Sequence, residues 1–418
     1  MYQTSNSKGQ ELAAQRMVKW LRRLGCDAYL ITSNYHDNEP IIKDGEFEDR
    51  NYIYFESDPY IKLPTIRVKA YSVNWPPRRI MFKDFIHALI EIVDKFNINT
   101  LITHSTLWNG PEDVAKFVQW RRTESILSGS CRDFIFCHMS HYQPPDPTYY
   151  GVYERSYRIA WNRLILPIIF NVADLILCVT PIEAMDMIMM GAKKDQIFIY
   201  PTGVDDDEVK KLEEIDSSDF RKKFGIPENV KIVSYLGTVE KRKNPLAVVK
   251  VARKLKHRKD VHFVIAGRPG NQWRDVVEES KDLPNVTITG ELDDIDKIKL
   301  IKESYLNIIM SKMEALGLTQ IEFMYGGVPI ITSAVYGQRW VVRDGIDGFH
   351  VNGPEDIDGA AKRVEYLLDH PDVRDEMSKN ARERAREFLL SYTTSRLVDK
   401  LTEIYKGKIE SSLCSMKL

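Results

Sequence analysis

Short apolar runs separated by amphipathic stretches of helical period recur along most of this chain. In the first half, Asp27 to Thr32, Thr100 to His104, Phe134 to His138 and Leu175 to Val179 are such runs, each closed by a polar residue or a turn. The second half repeats the pattern at Lys231 to Gly237, Val261 to Gly267, Asn285 to Gly290, Leu306 to Met310 and Val328 to Thr332. Their alternation with helices predicts an α/β fold of doubly wound parallel sheets covered on both faces. Further helices are expected over Glu11 to Leu24, Pro371 to Phe388 and Thr393 to Tyr405, with Lys406 to Leu418 as a frayed tail. No segment repeats at a fixed period, which excludes a solenoid.

The longest apolar stretch, Leu164 to Val179, is broken by Pro167, Asn171 and Asp174. It falls short of the roughly 20 residues of a membrane-spanning helix and reads as a buried helix running into a strand. Around Tyr200 to Asp207 the pattern is interrupted by Pro, Gly and an acidic run, and the next strand begins only at Lys231. A domain boundary is placed there: residues 1–205 form the first domain, 206–388 the second, and 389–418 a closing helix that returns to the first, with its tail. Asp205, Asp206 and Asp207 are expected to be solvated linker.

Composition narrows the function. The chain has 418 residues, 43% of them hydrophobic, enough for two domains with cores of ordinary size. Its 59 basic and 60 acidic residues balance, which removes the electrostatic footprint of a general nucleic-acid binder. Cys26, Cys131, Cys137, Cys178 and Cys414 form no CxxC pair or Cys/His cluster, and their odd number argues against a disulfide framework. Met1 to Thr4 lack the apolar core of a signal peptide, so a cytoplasmic location is expected. Arg155, Arg158, Trp161 and Arg163 form a basic and aromatic face. It reads either as a solvated helix surface or as a weak peripheral contact with anionic lipid at the inner membrane face.

Ligands of open α/β sheets collect outside the carboxyl ends of the strands, where His104, His138 and His141 fall; a structural role for each stays open. The sharpest local feature is Ser311 to Glu322, in which Glu314 sits in the loop after a strand and Glu322 in the first turn of a helix stopped by Gly326-Gly327. The amides of Leu316, Gly317 and Leu318 at that helix start suit a diphosphate or sugar hydroxyls, and Gly317 permits close approach. Thr319 and Glu322 also have capping-box spacing, in which Glu322 would only bond the N-cap amide. Glu314 has no evident partner in the sequence. A second feature, Gly237 to Pro245, follows a strand and opens a helix, with Asn244 as N-cap and Pro245 as its first residue. Lys241, Arg242 and Lys243 there are either a phosphate site or a solvated basic turn.

These two features resemble the retaining family 4 glycosyltransferases of the GT-B fold. The resemblance extends through Tyr200 to Asp205, Val264 to Gly267, Asn285 to Gly290, Gly326 to Pro329 and Asp344 to Gly348. It implies two Rossmann-like domains facing each other across a cleft and hexosyl transfer from a UDP- or GDP-hexose to a glycan, lipid-linked or small-molecule acceptor. By the same resemblance Lys243 binds the donor diphosphate at the loop opened by Gly237 and Thr238. Glu314 then holds sugar hydroxyls beside Ala315, Leu316, Gly317 and Leu318, and Glu322 grips the ribose. His138 approaches the sugar, and Gly9, His104 and His141 lie on the acceptor side. Thr202, Thr238 and Ala315-Leu316 depart from the family pattern, where Asn, Arg and Gly-Phe are common. Without an arginine at 238, Arg242 or Lys241 must supply the second positive charge.

The family opens with a buried strand before its first glycine-bearing loop, yet here the loop-like Ser5 to Gln10 comes almost at once. Translation starting upstream of Met1 is favoured over a missing strand. No protein nucleophile, cofactor or metal is expected, because cations and a helix N-terminus stabilise the leaving group. Rival readings are another GT-B reaction, phosphorolysis or nucleotide-sugar epimerisation, and a non-catalytic nucleotide-sugar-binding module.

Overall fold

A computed structural model describes residues 8–36, 39–73, 79–105, 110–128, 134–142, 144–146 and 150–415. The chain forms two compact units, one from residues up to Tyr200 together with those from Thr394 onward, the other from Pro201–Thr393.

In the first unit β1 (Leu30–Ser33) runs parallel to β5 (Thr65–Val68), and β4 (Tyr52–Phe55) pairs antiparallel on the other side of β5. A separate parallel sheet has the order β11-β10-β9-β8, from β8 (Thr100–His104), β9 (Ile135–Met139), β10 (Leu175–Cys178) and β11 (Ile197–Ile199). Two short antiparallel pairs complete the set, β2 (Tyr35–His36) with β3 (Glu39–Pro40) and β6 (Ala70–Val73) with β7 (Arg79–Phe82). Among the described residues no strand joins β1 to β8. One helix of this unit, Phe85–Lys95, buries Phe85, Ala88, Leu89, Ile92 and Val93, a stripe of helical spacing that packs into the same core as Val68, Phe136 and Ile176.

Three expectations change in this unit. The first helix is Lys8–Arg23, so Gly9 lies in its opening turn and not in a loop; Ser5 to Ser7 fall outside the described residues. The tail expected from Lys406 is helical as far as Ser415, within the helix Leu390–Ser415, and Lys408 Nζ lies 3.0 Å from Asp174 Oδ1. The basic and aromatic face is partly turned inward: Arg158 pairs with Glu154 at 3.0 Å and covers the Tyr150 ring, while Trp161 packs on the core. The Leu164 to Val179 stretch is the helix Leu166–Val172 followed by β10, as its interruptions suggested. No described helix is long and apolar enough to cross a membrane.

The second unit is one six-stranded parallel sheet in the order β14-β13-β12-β15-β16-β17. Its strands are β12 (Lys231–Leu236), β13 (Val261–Ala266), β14 (Val286–Gly290), β15 (Ser304–Ile309), β16 (Ile330–Thr332) and β17 (Gly348–His350). Successive residues of a strand face opposite sides, so Val233, Phe263, Ile265 and Leu306 build one core while Ile232, Val264, Ala266 and Ile330 build the other. The acidic run is not solvated linker. Asp205, 4% exposed, caps the helix Asp206–Glu214 by accepting from Asp207 N at 3.2 Å, and Asp206 accepts from Ser391 N at 3.0 Å.

Candidate active site

The strand order of the second unit reverses between β12 and β15, the place where open α/β sheets bind their ligands. β12 keeps its pairing with β13 up to Leu236 opposite Ala266, but its pairing with β15 stops at Ser234 opposite Asn307. The carboxyl ends of β12 and β15 therefore splay, and the loops leaving them are residues 237–244 and 310–317.

Three bonds tie these loops together. Lys312 N donates to Arg242 O at 2.8 Å, Arg242 Nη1 donates to Met313 O at 3.3 Å, and Lys243 Nζ donates to the Glu314 carboxylate. Glu314 thus has a partner, 71 residues away in sequence and invisible to local pattern. Their side chains are 23% and 13% exposed, so the pair is accessible from one side and shielded on the other. Arg242 is also paired, its Nη2 lying 2.7 Å from Glu240 Oε1.

Glycines and one tyrosine set the loops. Gly267 adopts φ +147°, and a Cβ there would lie 1.8 Å from Gly237 O, so no side chain fits between β12 and β13 at this level. Below it the buried Tyr235 hydroxyl donates to Thr238 O at 3.0 Å. Burial, then the Glu314 and Glu240 carboxylates, hold that hydroxyl well above its ordinary range, so it remains a donor. Asn244 precedes the helix Pro245–Lys254 as expected, but in a left-handed conformation (φ 54°) whose side chain donates to Pro354 O at 2.8 Å instead of capping the helix.

Gly317, at φ 88°, is the N-cap of the helix Leu318–Tyr325. The helix therefore starts one residue before Thr319 and the capping box does not form. Glu322 lies in the second turn and accepts from Lys297 Nζ at 2.6 Å. The amides of Leu316, Gly317 and Leu318 have no acceptor among the described residues, which leaves them open to an anion. Lys297 and Tyr235 were missed in the sequence because both act through contacts between separate elements.

The histidines of the first unit gather at the carboxyl ends of β8 and β9. His104 Nδ1 lies 3.0 Å from His141 Nε2, and His138 Nδ1 lies 2.9 Å from Thr103 Oγ1. His138 is fully buried, and its Nε2 has no partner among the described residues. Burial keeps all three rings neutral, His138 at about 3, His141 at about 4 and His104 well below its ordinary value. Glu183 orders the loop that carries His141: its carboxylate accepts from the Ser140 hydroxyl, from Tyr142 N at 2.7 Å and from Val179 N at 2.6 Å. Among the described residues no three His, Cys, Asp or Glu side chains gather as a metal-binding group.

The chain is similar to sucrose-phosphate synthase from Thermosynechococcus elongatus, with a TM-score of 0.68 at 18% identity over 96% of this chain and 94% of that one. It is likewise similar to Anabaena HepE in complex with UDP, with a TM-score of 0.66 at 14% identity over 96% and 98%. The fold is that of the GT-B glycosyltransferases, with two Rossmann-like domains. The family description "Glycosyltransferase Family 4" matches residues 7–208, and "Glycosyl transferases group 1" matches residues 216–384. The chain belongs to glycosyltransferase family 4. It is 27% identical over 239 residues to the D-inositol 3-phosphate glycosyltransferase of Mycolicibacterium smegmatis, 54% of this chain and 52% of that protein. It is 40% identical over 96 residues to the trehalose synthase of Pyrococcus horikoshii, 23% of this chain and 22% of that protein. The chain spans about half the length, or less, of the curated relatives it matches.

Proposed function

We propose that this chain transfers a hexosyl unit from a UDP- or GDP-hexose to an acceptor hydroxyl with retention of anomeric configuration. The observation that carries the reading is the Lys243–Glu314 pair, which joins the two loops at the splayed ends of β12 and β15 beside the open amides of Leu316 to Leu318. The pair serves as a preformed exchange site. An entering diphosphate draws Lys243 toward itself, and the released Glu314 carboxylate accepts hydroxyl hydrogens of the donor sugar. The bond from the anomeric carbon to the diphosphate oxygen then breaks with its electron pair going to the diphosphate, which Lys243 and the amides stabilise. The acceptor oxygen attacks from the same face, and its proton passes to the departing phosphate oxygen. Glu322 holds the ribose, and within the first unit the neutral His104, His138 and His141 are hydrogen-bonding groups for the acceptor. That a structural neighbour carries UDP-glucose supports the choice of donor.

A thermal-shift screen of UDP- and GDP-hexoses tests this reading, since a ligand at 100 times its Kd stabilises the native state by about 2.7 kcal/mol. The stabilising donor is then assayed for nucleotide release with a mixture of acceptors, and the product anomer is read by NMR. Stabilisation with release and a retained anomer is expected. No shift with any donor overturns the reading; a shift without release makes the chain a nucleotide-sugar-binding module, and phosphate-dependent turnover makes it a phosphorylase.

A further inference from the structure

Three of the four cations of the two loops are held by carboxylates: Lys243 pairs with Glu314, Arg242 with Glu240 and Lys312 with Glu355, so Lys241 alone of them has no ion pair among the described residues. Thr238, at the mouth of the first loop, carries no charge. Beside it stands Arg268. β12 and β13 are in parallel register with Leu236 opposite Ala266, and the same offset returns at the bridge between Val239 and Pro269. That register puts Arg268 opposite Thr238, one strand over, and residues in register across a parallel pair face the same side of a sheet. Their backbones are locked: Val239 N donates to Arg268 O at 2.9 Å, and a Cβ on Gly270 would lie 3.3 Å from Thr238 Cγ2. Arg268 is exposed and has no side-chain hydrogen bond or ion pair among the described residues.

We propose that Arg268 is the second donor-binding cation, supplying from the loop after β13 the charge that position 238 lacks. This rests on the donor-site reading above. Arg242, whose guanidinium already serves Glu240 and Met313 O, holds the loop shape and does not neutralise phosphate. Lys241 lies three residues after Thr238 in the loop, where no strand pairing aligns it with Thr238, and its amide donates to Asn271 Oδ1 at 2.8 Å. A guanidinium at position 268 offers a planar fork to two phosphate oxygens, which an ammonium there does only in part.

Calorimetric titration of the full chain with UDP, GDP, uridine and guanosine tests the assignment in Arg268→Ala, Arg268→Lys, Lys241→Ala and Lys243→Ala, the first three checked for an unchanged melting temperature and the last titrated well below its own lowered one. For whichever nucleotide binds, Arg268→Ala is expected to weaken the diphosphate about tenfold and the nucleoside by less than about twofold, with Arg268→Lys in between. Lys241→Ala is expected to match wild type. Diphosphate binding by Arg268→Ala within about threefold of wild type, with Lys243→Ala impaired, overturns the role of Arg268 and leaves the donor site standing. Equal loss of nucleoside and diphosphate also overturns it, because the effect then lies outside the phosphates. Undiminished binding by Lys243→Ala overturns the donor-site reading itself.

Discussion

Gly337 faces Ala315 so closely that a Cβ on Gly337 would lie 1.8 Å from the Ala315 carbonyl oxygen, while Gly337 N donates to Glu314 O at 3.1 Å. The loop bearing Glu314 is therefore seated against a position that accepts only hydrogen. Gly337→Ala has to move backbone, at a cost of about 1–3 kcal/mol for overpacking. A fall in melting temperature of roughly 2–4 °C per kcal/mol is expected for a unit of this size. Weaker donor binding should accompany it, as Glu314 leaves its place. Calorimetry and nucleotide titration read both, and unchanged values for both would show that the loop yields freely.

Lys243→Ala is expected to abolish transfer and to cost stability as well. Its ammonium is not the exposed group that the sequence suggested, because it neutralises a Glu314 carboxylate that is only 13% exposed. The loss should lie between the roughly 1 kcal/mol of a surface pair and the 3–5 kcal/mol of breaking a fully buried one. The double variant Lys243→Ala/Glu314→Gln should recover part of that stability without recovering turnover. Recovery of neither would mean that the two groups do not act as a pair.

Glu314→Gln and Glu322→Gln should part company in kinetics. Glutamine at 322 still accepts from Lys297 but loses the charge that grips ribose hydroxyls, so the donor KM should rise by about tenfold with kcat nearly kept. Glutamine at 314 faces the transferred sugar, and kcat should fall. Steady-state rates against donor concentration decide between them; a shared pattern in both variants would remove the separate assignments.

Stability should fall as the solution is acidified from about pH 6.5 to about pH 4. Burial sets the folded values of His138 at about 3 and His141 at about 4, and that of His262 in the second unit at about 4, all below the 6.5 of a free histidine. In that window the unfolded chain binds more protons, so folding is increasingly opposed as pH falls through it, while above it the rings are neutral in both states and contribute nothing. Glu112 and Glu183 work the other way. Burial lifts them from 4.5 to about 7 and about 6, so their contributions are present below pH 4.5 and lost as pH rises through those values. The histidine displacements are together larger and prevail. Melting temperatures measured from pH 7 to 4.5 should decline, and less steeply in His138→Gln; a flat profile in wild type would refute the neutral cluster.

The hydrophobic pattern carried most of the second unit. β12 and β13 fall within a residue or two of the apolar runs, because strands buried on both faces announce themselves without help from their neighbours. β17 escaped, since Gly348, Phe349 and His350 are too few to make a run. In the first unit β2, β3 and β11 escaped for the same reason, while β4 to β7, which carry polar or exposed positions, made no apolar run either. The loops at the site were visible as loops, but their wiring was not. That Lys243 meets Glu314 and Lys297 meets Glu322 depends on the β12 to β15 crossover, and Thr319 looked like a cap because nothing local says that Gly317 turns left-handed first.

The helix Leu390–Ser415 begins in one unit and ends in the other, where Thr394 meets the Tyr200 hydroxyl at 3.1 Å and Lys408 meets Asp174. The first unit is thus split in the sequence, with the whole of the second inserted between its parts. On a ribosome, where domains fold as they emerge at about 5–20 residues per second, the inserted unit is closed while its host still waits for its last helix. The host, begun before the inserted unit, is completed after it, and until that helix docks, Tyr200 and Asp174 lack their contacts with Thr394 and Lys408.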